Sequence, residues 1–385
     1  MIFAKTSRNS VQEKLVSALA VFALAFGLML TPPSTSAASR RYVALSVGYR
    51  HNCALTAQGK AYCWGYNNYG QLGTGDRNNA MVAVPVIGGL KFTSISAGSV
   101  HTCAITTTGK AYCWGSNSYF MLGVSNDSID RLSPTAVEVV SDVKFASITA
   151  GDQHTCALTA KGRAYCWGNN GAGQLGVGET DGVRVVGGLK FASIDAGYRH
   201  TCALTAQGRA YCWGDNELGE LGTGDNADSL TPVAVVGGLK FAALSVGMDY
   251  TSALTKGGEP YGWGDNSFGQ LGTGNVTSYN LPVVAMGGIR FTSVGQDAPY
   301  SQSKCFGLAS GRLKCVGSSS YILFGDVGYI DTPVTVAVRG VVYGAGEHHI
   351  CALTAAGKVL CWGRNDHGQL GSGSWDDSST PVAVR

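Results

Sequence analysis

One phrase recurs seven times along the chain, and a repeat of this kind limits the fold more than any composition does. It reads HNCALTAQGKAYCWG from His51, HTCAITTTGKAYCWG from His101, HTCALTAKGRAYCWG from His154 and HTCALTAQGRAYCWG from His200. Looser copies begin at Tyr250 (YTSALTKGGEPYGWG), Ser303 (SKCFGLASGRLKCVG) and His349 (HICALTAAGKVLCWG). The first cysteine position falls at 53, 103, 156, 202, 252, 305 and 351, so the steps are 50, 53, 46, 50, 53 and 46 residues. Periods of about 40 to 50 residues belong to propellers.

Each unit opens with a short alternating strand that ends in glycine, such as Phe191 to Gly197. Two strands joined by a glycine turn follow, as in Cys202 to Trp213, then a turn-rich loop such as NNYGQLGTG from Asn67, and a last Pro-Val strand such as Pro232 to Val236. Four short strands make one blade, and a blade cannot bury both faces alone. The expected fold is therefore an all-β, seven-bladed β-propeller over residues 40–385. Its 55 glycines among 385 residues serve as turn formers. GVGETDG from Gly176 departs from phosphate-loop spacing and precedes no helix, so no nucleotide or other cofactor is expected.

All twelve cysteines occupy the same two repeat positions: Cys53 with Cys63, Cys103 with Cys113, Cys156 with Cys166, Cys202 with Cys212, Cys305 with Cys315, and Cys351 with Cys361. The fifth repeat has lost both members together, to Ser252 and Gly262, as bonded pairs would. A three-residue loop Ala57, Gln58, Gly59 sets a register in which partners sum to 116, so Cys53 faces Cys63 at a Cα separation near 4.5 Å. That spacing suits a disulfide. A zinc site built from the H-x-C phrase is the alternative, but its ligand spacing is poor and no metal is expected. The recurring His51, His101, His154, His200 and His349 are read as hydrogen-bonded structural residues, because a catalytic constellation occurs once. Trp64, Trp114, Trp167, Trp213, Trp263 and Trp362, with Tyr62, Tyr112, Tyr165 and Tyr211, are read as packing between blades rather than as a sugar-binding row.

The repeat, with A-G-x-x-H-[TS]-x-A-L-T, x-x-G-x-x-Y-x-W-G and N-x-x-G-Q-L-G-x-G, resembles that of the regulator of chromosome condensation family over essentially all of residues 42–385. The resemblance implies the propeller fold. For activity it implies a range of roles, since the family includes a nuclear nucleotide-exchange factor, a plant light receptor and a secreted bacterial β-lactamase inhibitory protein.

The first 38 residues read as a secretory signal peptide. Lys5, Arg8 and Lys14 precede an apolar stretch from Leu15 to Leu30, and a small-residue run ends at Ser36, Ala37, Ala38. Their removal leaves 25 basic and 24 acidic side chains, without a basic run or stripe. Nucleic acid and membrane binding are therefore not expected of the mature chain, which should be a secreted or periplasmic monomer. Export also disfavours nucleotide exchange on a small GTPase.

Function is expected where the repeats differ. One set of candidates precedes the repeat histidine: Tyr49 and Arg50, Asp152 and Gln153, Tyr198 and Arg199, Met248 and Asp249, Glu347 and His348. The sixth unit carries three extra residues there, between Gln296 and Lys304, and its Tyr300 is expected on a raised lip. A second set lies before the Pro-Val strand: NDSIDRLS from Asn126, Asp225 to Leu230, Val276 to Asn280, Tyr329 to Asp331, and SWDDSS with Trp375. Tyr, Trp and Arg are the usual binding anchors. These sets point to a non-enzymatic binder of an extracytoplasmic protein, in its most concrete version an inhibitor of a secreted enzyme such as a β-lactamase. A carbohydrate or cell-wall lectin is the alternative.

Overall fold

Four strands form the first blade, Tyr42–Val47, His51–Thr56, Ala61–Gly65 and Ala80–Pro85, hydrogen-bonded in that order from the axis outward. The computed structural model describes residues 40–125, 131–179, 183–318 and 329–385. The leader read at 1–38 and part of the loops at 126–130 and 180–182 lie outside the described residues. Six further sheets follow the same plan, giving seven blades at 42–85, 92–138, 147–168, 191–234, 241–284, 293–339 and 342–383. The third blade has three named strands, and its outer edge is held by a bridge between Tyr165 and Arg184. The only helical turns among the described residues are two short 3-10 segments, Ser118–Phe120 and Met286–Gly288.

The central hairpin forms as its residues require. Thr56 N donates to Lys60 O at 3.0 Å and Gly59 takes φ +77°, a left-handed value that a side chain disfavours. The register pairs His51 with Gly65 and Cys53 with Cys63. All six disulfides close, each with a Cα separation of 4.1 Å, and no cysteine is free. Bonded sulfurs offer no thiolate, which removes the zinc alternative.

Blades join through the repeated residues. Trp114 donates its indole N–H to Gln71 O of the preceding blade, and Trp64, Trp167, Trp213 and Trp263 do the same to Gln369, Met121, Gln174 and Glu220. These rings are buried, so none can stack on a sugar. The repeat tyrosines are only half buried; Tyr211, for example, stands edge-on to Phe191.

Each repeat histidine bonds to the following blade. His51, His101, His154 and His200 contact Thr102, Thr155, Thr201 and Thr251 at 2.8, 2.9, 2.9 and 3.0 Å. Thr102 already donates to Gln71 O, so His51 must donate from Nε2 and leave Nδ1 as the unprotonated nitrogen. In the fifth blade Tyr250 replaces histidine and donates to Ser303 O at 3.1 Å.

Among the described residues, closure uses bonds of this kind and no strand shared between the first and last blades. His349 of the last blade reaches Asn52 of the first at 2.9 Å, Tyr42 N donates to Gly357 O, and Ala83 N to Arg385 O.

The sixth blade departs from the pattern. Its innermost strand splits: Ser293–Val294 stays in its own sheet, while Gln296–Asp297 pairs parallel with Val342–Ala345 of the seventh. Lys304 stands where blades two to five carry threonine and is sealed from solvent, with Nζ 2.7 Å from Asp297 Oδ2 and 2.8 Å from Gly295 O. Removing one member of such a pair strands a buried charge. Lys304→Met should therefore lose about 3 to 5 kcal/mol in urea unfolding. Lys304→Thr combined with Asp297→Ala, the residue types of the regular blades, should lie within about 1 kcal/mol of the parent. A double variant as weak as the single would refute this account.

The expectation that no basic stripe exists needs correction. Basic side chains at equivalent repeat positions, some 50 residues apart in sequence, gather at the hairpin end of the ring.

Candidate functional site

Both candidate loop sets leave the same end of the ring. The residues before each histidine follow the innermost strand, and the second set leads into outer strands whose first residues pair with the glycine opposite that histidine, as Ala80 does with Gly65 and Ser378 with Gly363. At the axis the first set forms a belt of backbone bonds. Tyr49 N donates to Gly98 O, Ser99 N to Gly151 O, Asp152 N to Gly197 O and Tyr198 N to Gly247 O, and Glu347 N returns to Tyr49 O.

Tyr300 lies across this belt. It does not stand on a raised lip: because Gln296–Asp297 is pinned to the seventh blade, the extra residues turn inward over the axis. Its ring centroid is 4.9 Å from that of Tyr49 and 4.7 Å from that of Tyr198, and its hydroxyl is 3.5 Å from Asp152 Oδ2. One side chain thus links blades one, three, four and six. Met248 sits beside the same turn, with Gln302 Nε2 3.8 Å from its sulfur.

Charge is arranged tightly around Tyr49. Its hydroxyl donates to Glu347 at 2.8 Å, and Arg50 forms an ion pair with Glu347 and lies over the Tyr49 ring at 4.8 Å. Burial and the Glu347 charge push the Tyr49 phenol up to about 12. Burial alone would raise the Glu347 carboxyl, but hydrogen bonds from His348, Arg50 and Tyr49 hold it well below the usual range. Burial pushes the Asp152 carboxyl up to about 6. Asp249 also reaches about 6, through burial and the nearby Asp265 and Asp215. Arg199 is exposed and pairs with Asp215 at 3.0 Å.

The N-x-x-G loops lie beside the first set. His367 touches Arg50 at 3.3 Å and packs on Tyr66 at 4.8 Å. A cavity of about 360 Å³ opens between the first set and the N-x-x-G loops, lined by Tyr49, Tyr69, Val100, Tyr119, Asp152 and Tyr300. Trp375 is 49% exposed, in a loop tied to the first blade's outer strand by Gly373 N to Met81 O, away from the axial cluster.

Tyr69, Tyr119 and Phe120 were not among the sequence candidates. Tyr119 and Phe120 are 56% and 52% exposed, and both hold left-handed backbone, at φ 56° and 62°. Phe120 stands where the loops of blades one, four, five and seven place Gly70, Gly219, Gly269 and Gly368. A bulky exposed residue in a glycine conformation stores strain without serving the core, a pattern that collects at functional sites. Its break of the N-x-x-G motif was the available signal.

A closed, disulfide-stitched ring with an aromatic, charge-lined axial mouth defines a recognition scaffold of the propeller class. The chain belongs to the regulator of chromosome condensation (RCC1) repeat family. Models of that repeat match residues 58–105, 108–158, 161–204, 207–254 and 258–295, and a second model matches 42–71, 92–120, 145–174, 191–220 and 344–369. The ultraviolet-B receptor UVR8 of Arabidopsis thaliana is 32% identical over 136 residues, 35% of this chain and 31% of that protein. Human E3 ubiquitin-protein ligase HERC2 is 33% identical over 150 residues, 38% of this chain and 3% of that protein. The matches thus span under a third of these relatives. Among solved structures, human WBSCR16 superposes with a TM-score of 0.74 at 20% identity, covering 85% of this chain and 94% of that one. The ectodomain of the Physcomitrella patens receptor kinase CR4 superposes at 0.54 and 21% identity, covering 84% and 74%. At such identities the likeness is one of fold.

Proposed function

We propose that the chain is an exported, non-enzymatic protein-binding propeller that grips its partner with the axial mouth. The observation that carries this reading is the exposed aromatic set Tyr69, Tyr119 and Phe120, set around the half-buried Tyr49, Tyr198 and Tyr300. Rigid aromatics beside an Arg–Glu pair supply contact area at low entropic cost. Export is supported by the leader-like residues 1–38 and by six disulfides, which persist in oxidising compartments. The most specific form of the proposal is inhibition of a secreted hydrolase, with class A β-lactamases the first to assay.

The test uses residues 40–385, which contain all seven blades, against a panel of secreted hydrolases and for capture of partners from culture medium. Phe120→Gly should raise stability by about 1 kcal/mol through relief of left-handed strain, while weakening a captured complex about thirtyfold. Thermal unfolding and titration read the two effects separately. A variant that binds as well as the parent would place recognition elsewhere, and unchanged hydrolase activity across the panel would remove the inhibitor form alone. Binding to glycans in place of proteins would favour the lectin reading.

A further inference from the structure

The end of the ring opposite the axial mouth carries paired cations at six of the seven blade interfaces; at the fifth hairpin Glu259 follows the glycine and pairs with Arg290. Phe92 N donates to Gly59 O, so that Lys91 sits against the preceding hairpin; a Cβ on Gly59 would lie 3.4 Å from Lys91 Cβ. Lys60 follows that glycine directly. The same contact recurs at Gly109 with Lys144 (3.1 Å), Gly162 with Lys190 (3.4 Å), Gly208 with Lys240 (3.5 Å), Gly258 with Arg290 (3.6 Å), Gly311 with Arg339 (3.6 Å) and Gly357 with Arg41 (3.2 Å).

With Lys110, Lys161, Arg163, Arg209, Lys256, Arg312 and Lys358 on the hairpins themselves, fifteen exposed basic side chains share this end. Three acidic ones accompany them among the described residues: Glu138, Asp142 and Glu259. Glu138 pairs with Lys110 and Glu259 with Arg290, which leaves most of the cations unmatched.

Geometry selects the partner. Equivalent positions around one rotation axis lie in one plane, so these cations form a flat ring. A linear polyanion could follow only an arc of it, whereas a planar anionic surface meets all of these cations at once. Exposed aliphatic side chains neighbour the ring: Val43, Ile87, Val341 and Val140, the last 79% exposed. Cations with aliphatic tips in one plane suit the headgroup region of a bilayer.

We propose that the hairpin end docks flat on an anionic lipid surface and turns the axial mouth away from it. This does not depend on what the mouth binds. Residues 40–385 should cosediment with vesicles containing about 30% phosphatidylglycerol in phosphatidylcholine, and not with phosphatidylcholine alone. Raising salt from about 0.1 M to 0.5 M should release the protein. Replacing Arg41, Lys60, Lys91 and Lys358 by Glu should weaken partitioning at least about a hundredfold, and the corresponding Gln variant should weaken it less. Arg77→Glu, in a loop of the other end, should change it little. Failure to bind the anionic vesicles, retention of binding by the Glu variant, or binding to a short DNA duplex without binding to vesicles would overturn the proposal.

Discussion

Reduced protein should fail to refold, while native protein should ignore the same reductant. Each disulfide closes a loop with a sequence separation of 10, which the chain-entropy estimate values at about 2.5 kcal/mol. Six together approach about 15 kcal/mol, the whole stability of a typical domain. The sulfurs are sealed between blades, with no more than 1% exposure at any cysteine, so dithiothreitol must wait for unfolding. The native chain should keep its β-sheet circular dichroism for hours in reductant. Once unfolded in urea and reduced, it should not recover that signal on dilution, yet it should recover when left oxidised. Replacing one pair, for example Cys202→Ser with Cys212→Ser, should lower stability by about 2.5 kcal/mol and leave the fold intact. The fifth blade, with Ser252 and Gly262 directly opposed, already folds without a bridge. Efficient refolding of fully reduced chain would show that packing alone suffices.

The second large effect is acid unfolding. Burial holds His51, His101, His154, His200 and His349 neutral, at about 3 against an ordinary 6.5. Their folded pKa is depressed, so unfolding takes up protons and stability falls as pH drops below 6.5. Each histidine contributes a slope of up to about 1.4 kcal/mol per pH unit, and five approach about 7. Buried acids oppose this over part of the range. Burial raises Asp152, Asp195 and Asp249 to about 6 and Glu220 to about 8, so these groups release protons on unfolding between about pH 4 and 6. Below pH 4 these raised acids are largely protonated in both states, and the histidines, joined by the depressed Glu347 carboxyl, take up protons on unfolding without opposition. Urea titrations should therefore show a shallow dependence from pH 6 to 4.5 and a steep loss between 4 and 3. Replacing His101 by Gln should flatten that limb by about one proton. An unchanged slope would mean that the histidines are not buried neutral.

Fold and site were unequally legible in the sequence. The repeat arithmetic placed all seven blades, and pairing by constant sum placed every disulfide, because a hairpin register is local. Its expected Cα separation near 4.5 Å compares with 4.1 Å found. The His–Thr bonds between blades were half visible: the histidine was read as structural, but its partner lies 47 to 54 residues away. Tyr49, Asp152, Tyr198 and Tyr300 could be named from their variability, though not their meeting, since four blades contribute to one point on the axis. Tyr119 and Phe120 escaped because they sit in a loop whose neighbours looked uniform. The basic ring escaped for a different reason. Nearly equal totals of acidic and basic residues concealed a separation by end, and residues spaced one repeat apart never form a run.

The claim on which the functional account rests is that recognition occurs at the axial mouth. Hydrogen exchange on residues 40–385, free and with a partner captured from culture medium, tests it most directly. Protection should appear at 48–50, 66–70, 117–121 and 298–301, and Tyr300→Ala combined with Tyr119→Ala should abolish it. Protection confined to the hairpins or to the outermost strands, with the mouth exchanging as in the free protein, would contradict the account.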